Sequence, residues 1–391
     1  MNQPANELTL FPETLWQGDT TLLTWPSAAV LNSRQSRYPV GAEPWVRATI
    51  EAATSVARDG AALISGVGLI PWEVGLWAAG EALGGIIILA GVPAGSDSRV
   101  VEKQTQQILR EYTLSHQAAL VIPYEEDTRS PKHQWKARDR WIFERAGRLL
   151  PVSIRPGGYF EELLEQNDFS SKADLRFQTT YGPHRHSFPP ALKPEAVHSR
   201  FADDFWNGWS IHWTRTQRGP WPGERARSFY RDLASSDNSY PRDALMTLKR
   251  IVAEKRLRGS GRHMPFQRLM VGFSELHPAD ALNLMRWRKR YVEPSFEPYG
   301  IAVRTEALLK TGARRVCYGS AEEGKRLPVM EKLYFQTVTS DKSDWKSEKE
   351  IRLAGDLDLA ALRPENVRVI VRTSKEIGTL QELPWPVYSL S

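Results

Sequence analysis

The chain has 391 residues, is 41% hydrophobic and 25% charged, and carries a formal net charge of +6; this length is long for one core and predicts two domains. Its single cysteine, Cys317, excludes a disulfide framework and a cysteine-based zinc site. Residues 1–170 hold 15 Lys+Arg and 20 Asp+Glu, net −5, and the remainder holds 37 and 26, net +11, so the basic second half points to an anionic partner such as a nucleotide or nucleic acid, DNA included.

The opening stretch MNQPANELTLFPE is polar and acidic and does not read as a secretory leader. The most apolar run, GGIIILAGVPAG, is too short to span a bilayer and fits a buried strand. A cytoplasmic protein without a membrane partner is expected. Five apolar runs of strand length follow one another: TLLTW, AALIS, GIIILAG, AALVI and RLLPVSI. Stretches of helical spacing separate them, such as EPWVRATIEAATSVARDG and SDSRVVEKQTQQILREYTLSHQ. This alternation predicts an α/β fold with a parallel sheet covered on both faces, over residues 1–166. Residues 167–200 are polar and rich in Pro and His, which predicts a linker. From 201 to 391 the pattern becomes α+β, with strands at GIAVRT, RRVCYG, KLYFQTV, KEIRLAG and VRVIVRT.

In a parallel sheet, ligands sit beyond the carboxyl ends of the strands. The residues there are Asn32-Ser33-Arg34, Gly66-Val67-Gly68, Gly91 with Gly95, and Arg155-Pro156-Gly157-Gly158. Glycines let backbone N–H groups approach a phosphate, and a following helix N-terminus adds a favourable dipole. The same glycines also suit plain tight turns. Together with NSR, the run LISGVGLIPWEVGLWAAGEALGGIIILAG and the run RDRWIFERAGRLLPVSIRPGG carry a resemblance. Over about residues 20–165 the chain resembles the Rossmann-like superfamily of DNA-processing recombination mediators and cytokinin-activating phosphoribohydrolases (lysine-decarboxylase-like proteins). The resemblance implies a Rossmann-like nucleotide-binding domain using Ser33, Arg34, Gly66, Gly68, Gly157 and Gly158. It places the family's paired arginine at Arg138 or Arg140, which could equally be surface helix charges. The hydrolases' PGGxGTxxE is interrupted here, since Tyr159-Phe160-Glu161-Glu162 follows the glycines. The hydrolase glutamate would fall at Glu161 or Glu162, out of register, so nucleotide binding is expected before hydrolysis.

The second half offers His212 in SIHWTR, Tyr299 in PYGIAV, and Glu348 and Glu350 in WKSEKEIR. The two glutamates would share one strand face at spacing i, i+2. Cleaving an N-glycosidic bond builds positive charge on the sugar; a carboxylate stabilises it or takes a proton, an aromatic face stacks on a base, and a His holds ribose hydroxyls. This is similar to the His–Tyr–Glu pattern of ADP-ribosyltransferases. The stretch GFSELHPADALNLMRWRKRY with YGIAV, VCYG and W-x-x-E-x-E-x-R also resembles a prokaryotic domain of unknown function found in anti-phage defence contexts. Each residue has an ordinary reading too: a satisfied core histidine, a packed tyrosine, glutamates paired with Arg352. WNGWSIHWTRTQRGPWPGERARSFYR carries four Trp and five Arg, which suits base stacking and phosphate contact at Trp209, Trp213, Arg215 and Arg218, or an interface or core. His184 and His186 lack a third ligand at regular spacing, so no metal is expected.

The sequence therefore predicts a nucleotide-binding protein acting on an N-glycosidic bond. It would either transfer ADP-ribose from NAD or excise a base from a nucleotide or DNA, as a DNA glycosylase does. The alternative is a non-catalytic single-stranded DNA binder like the recombination mediators.

Overall fold

Apolar runs too short for helices and flanked by amphipathic ones pair into parallel sheets, and the first half of the chain does so. The computed structural model describes residues 8–113, 117–126, 131–182, 191–202, 204–262, 264–288, 293–338, 348–380 and 383–391. The chain forms two compact units, Met1–Ser187 with Glu224–Pro241, and Phe188–Gly223 with Arg242–Ser391.

In the first unit β1 (Gln17–Gly18), β2 (Ser27–Asn32), β3 (Ala62–Gly66), β4 (Ile86–Pro93), β5 (Ala119–Glu126) and β6 (Arg148–Ser153) form one sheet, ordered β1-β5-β4-β3-β2-β6. The last five are parallel, and β1 lies antiparallel on the edge of β5. Ile86 to Ala90 are buried without a break, as helices on both faces of a parallel sheet require. The helices are α1 (Pro44–Arg58), α2 (Ile70–Glu81), α3 (Ser98–Tyr112), α4 (Pro131–Arg145) and α5 (Tyr159–Leu164). α1 buries one stripe, Trp45, Val46, Thr49, Ala52, Ala53 and Val56. α2 is buried nearly all round, from Pro71 to Gly80, because a further helix, α6 (Ala226–Ser235), covers it. Tyr230 donates its hydroxyl to Glu73, Arg227 pairs with Glu81, and Glu111 accepts the Ala226 N–H.

Three expectations change here. TLLTW is a 3-10 turn, not a strand; Asp19 caps it by accepting the Thr21 N–H at 3.0 Å, and the strand is the SAAVLN that follows. Residues 167–182 are not a linker but pack along β6, with Leu149 N–H to Lys172 O at 2.8 Å and Thr179 N–H to Val152 O at 2.7 Å. The second unit is not one continuous stretch, since 224–241 returns to the first.

The second unit holds a seven-stranded sheet of β7 (Trp209–Trp213), β8 (Met270–Ser274), β9 (Gly300–Arg304), β10 (Arg314–Arg315), β11 (Glu350–Ala354), β12 (Val367–Val371) and β13 (Val387–Ser389), ordered β10-β11-β8-β7-β9-β12-β13. All neighbours are antiparallel except β12 and β13. Alternation along the strands sends Ile301, Val303, Phe273, Ile351 and Val369 into one core. Trp209, Ile211, Trp213, Ala302 and Ile370 go into a second core. α7 (Ala244–Glu254) packs in the first core through Leu248, Ile251 and Val252, and α8 (Pro278–Leu282) in the second. Among the described residues no helix is long and apolar enough to cross a membrane.

Candidate functional site

The sheet of the second unit has a flaw at its centre. β7 and β8 share only one residue pair, Ile211 with Ser274. Beside it lies a cleft of about 320 Å³, lined among others by His212, Trp213, Gly272, Ser274, Phe296, Glu348 and Glu350. His212 Nδ1 lies 2.8 Å from the Gly272 carbonyl. A carbonyl only accepts, so Nδ1 carries the proton and Nε2 is left as an acceptor. Burial lowers the imidazole pKa, partly offset by this bond, and keeps the ring neutral.

The two glutamates have different environments. Glu350 opens β11 and is held by Arg352 through Nε and Nη2, both at 2.9 Å. Arg352 is 4% exposed and also donates to the Leu333 carbonyl at 2.9 Å and Gln336 Oε1 at 3.0 Å. Glu348 precedes the strand, and its backbone carbonyl accepts the Ser274 hydroxyl at 2.6 Å. Burial first, and the Glu350 charge second, push its carboxyl up to about 7, against the pull of Arg288, Arg286 and Arg352. The shared strand face predicted for the pair is not what brings them together. Lys349 between them is left-handed, φ +45°, a conformation that costs a non-glycine residue roughly 1–2 kcal/mol. That turn sets both carboxylates on one cleft.

Arg215, Arg250, Arg256, Arg258 and Arg262 also line the cleft. Four of them share carboxylates two to one, and Arg256 faces Asp356 at 4.0 Å. Glu254 takes Arg250 and Arg258, each at 2.7 Å, while Glu293 takes Arg262 at 2.7 Å and Arg215 at 3.4 Å. Each such bridge keeps one net positive charge, which suits phosphate. Sequence reasoning missed Arg250, Glu254 and Arg258, although their spacing of four was a readable signal. Trp213 and Phe296 stack at 6.3 Å and 13° and add an aromatic wall.

Other predicted residues lie elsewhere. Tyr299 does not line the cleft: it is 6% exposed within the first core, and its hydroxyl donates to Glu376 Oε1 at 2.9 Å. Burial and Glu376 push that phenol up. Trp209 is 2% exposed and covered by the guanidiniums of Arg368 at 4.0 Å and Arg304 at 4.4 Å, so it offers no ring to a base. Trp213 is 8% exposed and reaches the cleft from the core. Arg218 is half-buried and its carbonyl accepts from Gln217. His184 and His186 lie outside the described residues, and among the described residues no cluster could hold a metal.

In the first unit the loops past the carboxyl ends of β2, β3, β4 and β6 carry Ser33 with Arg34, Gly68, Gly95, and Gly157 with Gly158, whereas Gly66 ends β3 and Gly91 lies inside β4. Ser33 ties two of them: its N–H donates to Ser153 O and its hydroxyl accepts the Arg155 N–H, both at 2.9 Å. Arg34 is exposed. Gly68 is left-handed and donates to Glu73 at 2.7 Å; Gly157, φ +65°, donates to Glu161 at 2.6 Å. The protein's own carboxylates thus occupy two N–H groups expected to meet phosphate. Gly158 immediately precedes α5 and Glu162 lies in its first turn, and the helix is only six residues long. A Cβ on Gly66 would stand 3.4 Å from the Arg138 side chain. Arg138 is 3% exposed and committed to Asp139 Oδ1 at 2.6 and 2.9 Å, while Arg140 is an exposed i,i+4 partner of Glu144. Neither forms the expected paired clamp. Sequence reasoning passed over Gln35 and Ser153, which with Asn32 carry buried side-chain oxygens that have no hydrogen-bond partner among the described residues, where β2 meets β6. The strand order reverses at β2, where open parallel sheets place their ligand crevices.

No protein-family model matches the sequence, and the curated proteins give no significant match. Among solved structures, DNA processing protein A from Streptococcus pneumoniae is 17% identical, with 36% of this chain and 50% of that chain covered and a TM-score of 0.26; this chain therefore spans half the length of that protein. DNA processing protein A from Helicobacter pylori, described for its single-stranded DNA binding mode, is 19% identical over 39% of this chain and 72% of that chain, with a TM-score of 0.25. The molybdenum cofactor carrier protein from Chlamydomonas reinhardtii is 19% identical over 41% of this chain and 78% of that chain, with a TM-score of 0.26. DNA-processing proteins are thus among the structures similar to this chain.

Proposed function

We propose that this protein binds nucleotides or nucleic acid and that the cleft of the second unit acts on an N-glycosidic bond. One observation carries the reading: Glu348, a carboxyl raised to about 7, stands beside Glu350, which Arg352 already holds, in a cleft that arginines line. A carboxyl poised near neutral pH suits general acid–base work, and a second carboxylate nearby stabilises a sugar cation. The paired arginines would take the phosphates, and His212 Nε2 would accept a ribose hydroxyl. When the C1′–N bond breaks, its electron pair leaves with the departing base. The proton of the attacking group, a water or an acceptor, passes to Glu348. NAD, whose nicotinamide leaves as a neutral ring, is the donor of choice. In the first unit a nucleotide or phosphorylated nucleoside would sit at Ser33, Arg34, Gly66, Gly157 and Gly158, displacing Glu161.

The test is incubation with NAD, with and without single-stranded DNA, read by mass spectrometry for nicotinamide, free base and added mass on the DNA. Release by the parent chain that Glu348→Gln abolishes supports the reading. If neither protein releases anything and both bind DNA in a salt-dependent way, the chain is a non-catalytic single-stranded DNA binder, which the five arginines also suit.

A further inference from the structure

A transfer needs two seats, one for the donor and one for the acceptor, and a second pocket adjoins the cleft. It has a volume of about 150 Å³ and shares Phe296 with the cleft. Met285, Pro294 and Pro298 add apolar walls, and Arg286 and Arg372 line it too. Glu297, 8% exposed, is the one carboxyl in its lining among the described residues, with an oxygen on the Thr216 N–H. Trp287, which also lines the pocket, remains 39% exposed. Arg286, in this lining, also acts on Glu348.

We propose that this pocket seats one unstacked base of single-stranded nucleic acid as the acceptor of the glycosyl unit. This rests on the N-glycosidic reading of the adjoining cleft. The chemistry of the walls selects the occupant. A flat ring slides between Phe296 and the prolines, as bases extruded from a strand do between apolar side chains. A carboxyl accepts from ring amino and imino groups. Arginines beside the pocket meet the phosphates on either side of the base, and Trp287 offers the next base a stacking platform. The step balances: the donor nucleotide's C1′–N bond breaks, its positively charged ring nitrogen taking the pair as a neutral base. C1′ then bonds to a ring atom of the acceptor, whose displaced proton goes to Glu348.

The experiment uses the full chain, NAD, and a twelve-residue DNA or RNA strand bearing 2-aminopurine, whose fluorescence rises when it unstacks. The parent protein is expected to raise the fluorescence with a single strand and not with its duplex. It should also add mass to the strand in step with nicotinamide release. Met285→Trp, which fills the pocket, and Arg286→Ala, which removes a charge beside it, should each cut strand affinity at least tenfold. Both should also lower the ratio of strand modification to nicotinamide release, with circular dichroism melts confirming folding. Unchanged fluorescence and affinity in both variants overturn the pocket, whether or not NAD is cleaved. Added mass on protein and none on the strand overturns the acceptor class. Fluorescence changes without any nicotinamide release leave the base seat standing and sink the N-glycosidic reading instead.

Discussion

The two units treat their carboxylates in opposite ways. In the first, Glu73 and Glu161 turn back onto the N–H groups of Gly68 and Gly157, so the loops that most resemble an anion cradle are satisfied from within. In the second, Glu350 takes Arg352, and at Glu348 burial and a like charge outweigh the pull of Arg288, Arg286 and Arg352. The lesson is that glycine at a strand end marks where a ligand could come close, whereas an ionisable group held against its own preference marks where chemistry is prepared. The comparison breaks if the first unit turns out to be the reactive one.

The largest effect is expected at Glu348. Glu348→Gln should lower nicotinamide release at least about 100-fold, the usual lower range for losing a general acid or base. It also has a stability signature. The carboxyl is raised in the folded state, so its contribution is fully present below about pH 4.5 and is lost as the pH climbs through about 7. Moving a carboxyl from 4.5 to about 7 is worth about 3 kcal/mol as an upper bound. The Gln variant should match the parent near pH 4 and exceed it by about 2 kcal/mol at pH 8 in urea unfolding. A pH-independent difference would remove Glu348 from acid–base work in the cleft.

Next come two of the buried guanidiniums, each bonded to a neighbouring carboxylate. Arg352→Ala strands Glu350, and Arg138→Ala strands Asp139; each should cost about 3–5 kcal/mol in urea unfolding, because an uncompensated buried charge remains. Only the first should also change the pH profile of nicotinamide release, since after burial it is the Glu350 charge that raises Glu348 and Arg352 that opposes it. If Arg138→Ala shifts that profile too, the division of labour between the units fails.

The first unit was largely legible because a parallel sheet buries whole strands, and IIILA or LLPVS can scarcely do anything else. TLLTW misled because its apolar residues outweighed a local signal, the Asp19 cap and Thr21 that begin a turn. The glutamates were found from residue type and spacing, yet what makes Glu348 distinctive is the left-handed Lys349, which no period reveals. Tyr299 was misplaced because its partner, Glu376, lies 77 residues away. The Trp- and Arg-rich stretch divides between the units at Glu224; Trp206, Trp209 and Trp213 go into a core, and Trp221 lines the cleft.

A smaller effect tests the glycine loop. Gly157 has φ +65° with open space where a Cβ would go, so Gly157→Ala should cost about 1 kcal/mol from backbone strain alone. A Cβ on Gly158 would stand 2.8 Å from the Arg155 carbonyl, and Gly158→Ala should cost about 1–3 kcal/mol by crowding. If the loop also holds a nucleotide, Gly158→Ala weakens that binding more than it weakens the fold, as titration calorimetry beside urea unfolding would show.

The smallest effect is at Arg140, and it separates the two arginines that the sequence could not. Arg140 makes one exposed i,i+4 contact with Glu144, with side chains 42% and 50% exposed. Such pairs contribute about 0.3–0.5 kcal/mol, so Arg140→Ala should scarcely move the unfolding midpoint, and high salt should erase the difference. Arg138, on the same helix and 3% exposed, should behave in the opposite manner and ignore salt. Should Arg140→Ala instead weaken nucleotide binding tenfold with unfolding unchanged, its exposed guanidinium is meeting a ligand. The satisfied first unit would then be a binding surface that its own carboxylates hold in reserve.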